Sequence, residues 1–245
     1  MALHLQQDMM GMHDIYSHPG WTGVLHGVTG RQWGNMQYPV QQQALAIALG
    51  VSPDAFVACE QVHGSAVAVV SRADCGTCIA DTDGLISRET GVILTVKTAD
   101  CIPVFLHDAQ KEVVGVLHAG WRSLAAGIVR NGIKAMQQAF GCLITDIQVY
   151  IGPHIRPCCF TVSPDVAEQF VMYPAVLNKS SNTITVDLAA TAAAQVSASG
   201  MQSSQITVCS CCTACDADNF FSYRRDHDQA GRMLSYIGLA NGETD

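Results

Sequence analysis

Short apolar runs constrain this chain most: Ala66–Ser71, Val92–Val96, Ile102–Leu106, Val113–Leu117, Ile147–Ile151 and Ile206–Val208. They are rich in β-branched residues and lack the strict alternation of a half-exposed strand. Several of them therefore predict strands covered on both faces. Helical patterns lie between them. Gln41 to Leu49 ends at Gly50, and Ser123 to Phe140 ends at Gly141, each glycine a fitting C-terminal cap. Ser163-Pro-Asp starts a third helix leading to Val171, and Asp187 caps a fourth that runs through an Ala-rich stretch to about Ala198. Strands and helices are interspersed without strict alternation, and no repeat or Pro/Gly/Ser-rich linker divides the chain. The expectation is an α+β fold, one domain over residues 1–245, with a mixed central β-sheet flanked by helices.

With 49% hydrophobic and 14% charged residues, there is ample material for a core to cover such strands, and disorder is excluded. The formal net charge of -8 argues against a nucleic-acid partner, which is held through Lys and Arg. No basic N-terminal region precedes an apolar signal-like run, and no stretch of about 18 apolar residues could span a membrane. A soluble, cytoplasmic protein with no membrane contact is expected. Eleven cysteines is an odd count, so they cannot all be paired, and metal ligation is a natural role for some.

Three constellations concentrate chemistry. Glu60-Gln-Val-His-Gly64 puts His63 at the edge of a strand. Thr98-Ala-Asp-Cys-Ile-Pro103 puts Asp100 and Cys101 in the link between two strands, where a thiolate can react or bind a metal. Val116-Leu-His-Ala-Gly-Trp-Arg-Ser123 ends a strand at His118 and starts a helix, placing Arg122 and helical N–H groups beside the imidazole. Each falls at a strand end, so a sheet can bring them to one edge. Two histidines and a cysteine form a known catalytic zinc set that leaves a fourth position open. Blue-copper sites use the same residue types, so the donors alone leave copper possible. A rival structural site would combine Cys75-Gly-Thr-Cys78 with the dense Cys209–Cys215 segment.

Taken in order, Gln61-Val-His-Gly64, Ala99-Asp-Cys-Ile-Pro103, His118-Ala-Gly-Trp121, Ile151-Gly-Pro-His-Ile-Arg-Pro-Cys-Cys-Phe160 and Phe220-Phe-Ser-Tyr-Arg-Arg-Asp226, with Gly231-Arg-Met233, resemble the laccase-domain (YfiH-like) family. That family was first labelled polyphenol oxidase and is now regarded as zinc-dependent purine nucleoside phosphorylases. The resemblance implies zinc on His63, Cys101 and His118. It also implies phosphorolysis of adenosine, inosine, guanosine and methylthioadenosine, with hydrolytic deamination of adenosine as a second activity. The partners are then small molecules, purine nucleosides and phosphate. In place of the family's longer N-terminal segment this chain has Gly27–Met36, where Arg31 and Asn35 are the candidate counterparts for substrate contacts.

On this reading His63, Cys101, His118 and Asp100 carry the catalysis, with Asp100 either shuttling protons or orienting a histidine. Arg122 binds phosphate, with Arg224 and Arg225 as further cations. Two alternatives stay open: copper-dependent phenol oxidation, and a Cys–His hydrolase with Cys101 as nucleophile and His118 as base.

Overall fold

The computed structural model describes residues 4–7, 14–173, 177–179 and 183–240. Its strands are β1 (His4–Gln7), β2 (Asp14–Ser17), β3 (Val24–Thr29), β4 (Phe56–Cys59), β5 (Val67–Val69), β6 (Cys78–Ile79), β7 (Gly84–Ser87) and β8 (Ile93–Thr98). They continue with β9 (Ile102–Asp108), β10 (Val113–Ala119), β11 (Ile147–Ile151), β12 (Thr161–Val162), β13 (Leu177–Lys179), β14 (Ile184–Val186), β15 (Ile206–Val208) and β16 (Met233–Leu239). The helices are α1 (Pro39–Ala48), α2 (Trp121–Ala125), α3 (Ile128–Phe140), α4 (Pro164–Glu168), α5 (Leu188–Ala198) and α6 (Tyr223–Asp226).

The fold is α+β with mixed sheets flanked by helices, as the sequence predicts. The centre differs in one respect, because it holds two sheets. The first has the order β1-β2-β3-β16-β8-β4-β6, and the second β15-β11-β9-β10-β7-β5. A small sheet, β12-β14-β13, stands apart. Both large sheets mix parallel and antiparallel pairs: β4 runs parallel to β8, and β9 antiparallel to β10.

The two-sided burial explains the doubling. In β9, Ile102, Val104 and Leu106 point to a core shared with α3 and α5, while Phe105 points the other way. In β10 the split is Val113, Leu117 and Ala119 against Val114 and Val116. The inward set meets Val28, Leu94, Val96 and Ile237 of the first sheet in a second core. The outer face of the first sheet, with Ile93, Leu234 and Tyr236, is covered by Leu45, Ala46 and Ala48 of α1. Strands β9 and β10 thus find a sheet on one side and helices on the other, and both are buried along their whole length.

A candidate metal centre under a cationic cavity

Two chain crossings from the first sheet to the second pass over one rim. Strands β4 and β8 are parallel neighbours, so the segments that follow them, 60–66 and 99–101, leave from the same end. In β10, antiparallel to β9, His118 lies opposite Pro103. The register therefore delivers His118 to the rim where Cys101 enters β9. The Gln61 side chain pins the first crossing by donating to the Lys97 carbonyl (2.7 Å) and accepting from the Lys97 N–H (2.8 Å). Gln61, His63 and Asp100 all have positive φ, at 61°, 59° and 93°. Such backbone is costly for residues other than glycine and clusters at functional sites.

The donor atoms of His63, Cys101 and His118 all lie within 4.8 Å of one another. His118 is buried and donates from Nδ1 to Asp83 Oδ1 (2.7 Å), which leaves Nε2 for a ligand. The same carboxylate accepts the His63 N–H (3.0 Å) and the Gly64 N–H (2.7 Å), so Asp83 sets both histidines at once. Burial opposes ionisation of Asp83, yet these donors hold its carboxyl below the usual range. Burial also opposes a thiolate at Cys101, but His118 and His63 beside it bring the thiol down to about 6. Burial disfavours a charged His118, and the Cys101 thiolate and Asp83 outweigh it, raising the imidazole to about 9. Gly120 leaves room for the ligands: a Cβ there would stand 2.9 Å from His63 Cδ2 and 3.2 Å from Cys101 Sγ. Two imidazoles, one already oriented by a carboxylate, and one readily ionised thiol fit a divalent ion such as zinc.

Above these three residues opens a cavity of about 590 Å³. Lys97, Arg122, Arg224 and Arg232 line it, a marked concentration of positive charge in a chain of net charge -8. Trp121, Phe160 and Tyr223 supply aromatic walls. The Arg122 guanidinium lies over the Trp121 ring (4.2 Å to its centre), and Arg224 lies over Phe160 (5.2 Å).

Not every residue singled out in the sequence takes the expected place. Asp100 reaches the cavity wall, but its Oδ1 accepts from Thr213 Oγ1 (2.6 Å) and its Oδ2 from Ser222 Oγ (3.1 Å) and the Arg224 N–H (2.6 Å). Those bonds suit an anchor for the loop carrying Arg224 better than a proton shuttle or a histidine partner. Arg31 and Asn35 are not among the lining residues. Arg31 pairs with Asp226 (3.7 Å) and stacks on Phe221, and Asn35 accepts from the Gln37 and Arg232 N–H groups. Asn35 thus sits behind Gln37 and Arg232, which do face the cavity. Arg225 turns to Asp226 and to the carbonyls of Thr213 and Phe220. The proposed pairing of Cys75 and Cys78 with the Cys209–Cys215 segment is not formed. Cys78 lies on β6, while Cys212 and Cys215 meet Cys158 and Cys159.

Asp83 is the principal residue that sequence reasoning missed. Its only local signal is Thr82-Asp-Gly84 before the buried Leu85-Ile86, and no motif spacing links it to His118, 35 positions on.

Comparison with known proteins places this architecture. A family profile described as "Multi-copper polyphenol oxidoreductase laccase" matches residues 39–240. The purine nucleoside phosphorylase YlmD of Geobacillus stearothermophilus is 32% identical, with 90% of this chain and 92% of that protein aligned. Its crystal structure superposes with a TM-score of 0.91 at 30% identity, covering 98% of this chain and all of that one. Adenosine deaminase RL5, from an unknown prokaryotic organism, is 32% identical over 79% of this chain and 78% of its own length. The chain therefore belongs to the laccase-domain family, whose members include YlmD.

Proposed function

We propose that this protein is a metal-dependent purine nucleoside phosphorylase that also deaminates adenosine. The observation that carries the reading is the His63–Cys101–His118 cluster at the floor of a cavity lined by cations and aromatic rings. The names of YlmD and RL5 support the same two reactions.

Asp83 holds His118 with its Nε2 turned away from the carboxylate, so the imidazole is oriented before any ligand arrives. Zinc on His63, Cys101 and His118 would supply electrophilic stabilisation to a departing purine or to water attacking C6. Trp121, Phe160 and Tyr223 offer faces for the purine. Arg122, held over the Trp121 ring, offers its N–H fork to phosphate, and Lys97 adds a second positive charge. Arg224 is fixed by Phe160, the Cys159 carbonyl (2.8 Å) and the bond from its own N–H to Asp100. Asp100 accordingly positions a cation at the cavity wall.

Incubation of zinc-loaded protein with inosine and phosphate should yield hypoxanthine and ribose 1-phosphate, and adenosine without phosphate should yield inosine and ammonia. Failure of the first reaction overturns the phosphorylase reading. A second reading, a cysteine hydrolase, is favoured by the Cys101–His118–Asp83 chain, which has the order of a nucleophile, base and orienting acid. In that case activity survives chelation and is lost on alkylation of Cys101. The presence of His63 as a second imidazole beside the thiol favours the metal. For copper-dependent phenol oxidation, elemental analysis would have to find copper in place of zinc.

A further inference from the structure

A second cluster of metal-binding chemistry lies outside the catalytic centre. The Sγ atoms of Cys158, Cys159, Cys212 and Cys215 all fall within 4.8 Å of one another. Cys215 Sγ is 3.6 Å from that of Cys158 and 3.3 Å from that of Cys159. Four thiolates around one zinc at about 2.3 Å would have sulfurs roughly 3.8 Å apart, so only small side-chain shifts separate this cluster from a closed tetrahedral site.

The cluster is built by two loops more than fifty positions apart in the chain. The Cys159 and Phe160 N–H groups both donate to the Arg156 carbonyl, closing a tight turn after β11. A bridge between His154 and Cys212 brings in the loop after β15, fastened by the Thr213 N–H on the His154 carbonyl (3.1 Å) and by Arg156 Nη1 on the Ser210 carbonyl (2.9 Å). That loop contributes Cys212-Thr-Ala-Cys215, a Cys-x-x-Cys spacing common among structural zinc ligands.

The surroundings of Cys212 suit a thiolate. Its Sγ accepts the Arg156 N–H (3.4 Å), and the Cys215 and Ala214 N–H groups bond to it as well. Although burial opposes ionisation, these donors lower the thiol below its ordinary range. Cys158 and Cys159 are pushed the other way, first by burial and then by the sulfurs around them. Four crowded thiols cannot all ionise against one another, whereas a divalent cation among them displaces their protons and removes the repulsion.

We propose that Cys158, Cys159, Cys212 and Cys215 form a structural zinc site, separate from the His63–Cys101–His118 centre. The ion stiffens the cavity from behind. Phe160 follows the first cysteine pair, the Cys159 carbonyl accepts from Arg224, and Thr213, between the second pair, donates to Asp100. The inference does not depend on which reaction the cavity performs.

The test uses full-length protein carrying Cys101→Ser and His118→Ala, in which the four cysteines are intact. Reconstituted with zinc and desalted, it should hold one equivalent of metal where the unsubstituted protein holds two. With cobalt it should show the thiolate-to-metal charge-transfer bands of an all-sulfur tetrahedral site. Adding Cys212→Ser and Cys215→Ser should remove that last equivalent. A chelator should lower the melting temperature of the variant that retains the four cysteines. The proposal is overturned if that variant holds no metal, or if its cobalt spectrum lacks the thiolate bands. It is equally overturned if mass spectrometry of the unreduced protein finds a disulfide within the four.

Discussion

The Asp83 carboxylate accepts three hydrogen bonds, from the His118 ring and from the His63 and Gly64 N–H groups, and provides no donor in return. Asp83→Asn keeps the shape but turns an amide NH₂ toward groups that are themselves donors. Partners of this kind commonly contribute a factor of about 10 to 100 in metal affinity, so a loss of that size is expected. Competition with a chromophoric chelator measures it, and an unchanged affinity would remove Asp83 from the site. Gly120 makes a complementary point. At φ -72° its backbone suits any residue, so Gly120→Ala adds only the Cβ that meets His63 and Cys101. The variant should fold with an unaltered circular dichroism spectrum and retain metal on the order of tenfold more weakly. Normal metal retention would show that the two ligands can shift without cost. His63, Cys101 and His118 could be picked out in the sequence because each stands where an apolar strand stops. Asp83 also stands beside a strand, but only the three-dimensional pairing of β7 with β10 tells which histidine it reaches.

Among the elements, legibility followed uniformity of composition. Short β-branched runs, such as β11 and β15, occur at the predicted bounds. Asp187 caps α5 through the Ala190 N–H (2.9 Å), as its position before an Ala-rich run suggested. Strand β3 carries His26 and Gly27, and β16 carries Ser235 and Gly238; these residues are buried by the sandwich but disguise the strands in one dimension. The expected helix from Ser123 to Phe140 is in fact two, divided at Gly127, whose φ of 83° is left-handed. A glycine within an amphipathic pattern reads as a mild cost to a helix and does not announce a break. Its conformation is testable. Gly127→Ala forces an L-residue into that region at about 1–2 kcal/mol, several degrees of melting temperature for a chain of this length. The added Cβ also meets the end of the Arg130 side chain, which is flexible enough to move. Gly127→Asn should lose less, since asparagine tolerates this backbone better. Thermal melts of the two variants decide the matter: equal losses, or none, would mean that the break is not held by the glycine.

On the scale of the whole molecule, the two ends of the sandwich have opposite electrostatic characters. The metal rim favours charged groups, whereas the far end buries histidines in their neutral form. His26 of β3 and His107 of β9 lie toward that end, with Trp21 between them (5.1 Å from each ring centre) and His18 stacked on Trp21 at 4.7 Å. Two of these rings act as acceptors that protonation would remove: His26 Nε2 receives the His18 N–H (3.0 Å), and His18 Nδ1 receives the Gly20 N–H (3.1 Å). Burial, then the mutual repulsion of the imidazolium forms, lowers His18 and His107 to about 4, and burial lowers His26 as well. In the unfolded chain a histidine titrates near ~6.5. Between about 4 and 6.5, therefore, unfolding takes up protons that the native state refuses, and stability must rise with pH across this window. Acidification from pH 6.5 should lower the melting temperature steadily, levelling off only when the native histidines begin to protonate. Metal release at low pH adds to any such decline, so the informative quantity is a difference between two proteins that share the same metal centre. His107→Gln removes one titrating ring far from that centre. The variant should be the less stable protein at pH 8, and its deficit should shrink as the pH falls toward 4, because only the wild type then faces the penalty of charging His107. Parallel melting curves for the two proteins, with a gap independent of pH, would show that His107 is not held neutral by the fold.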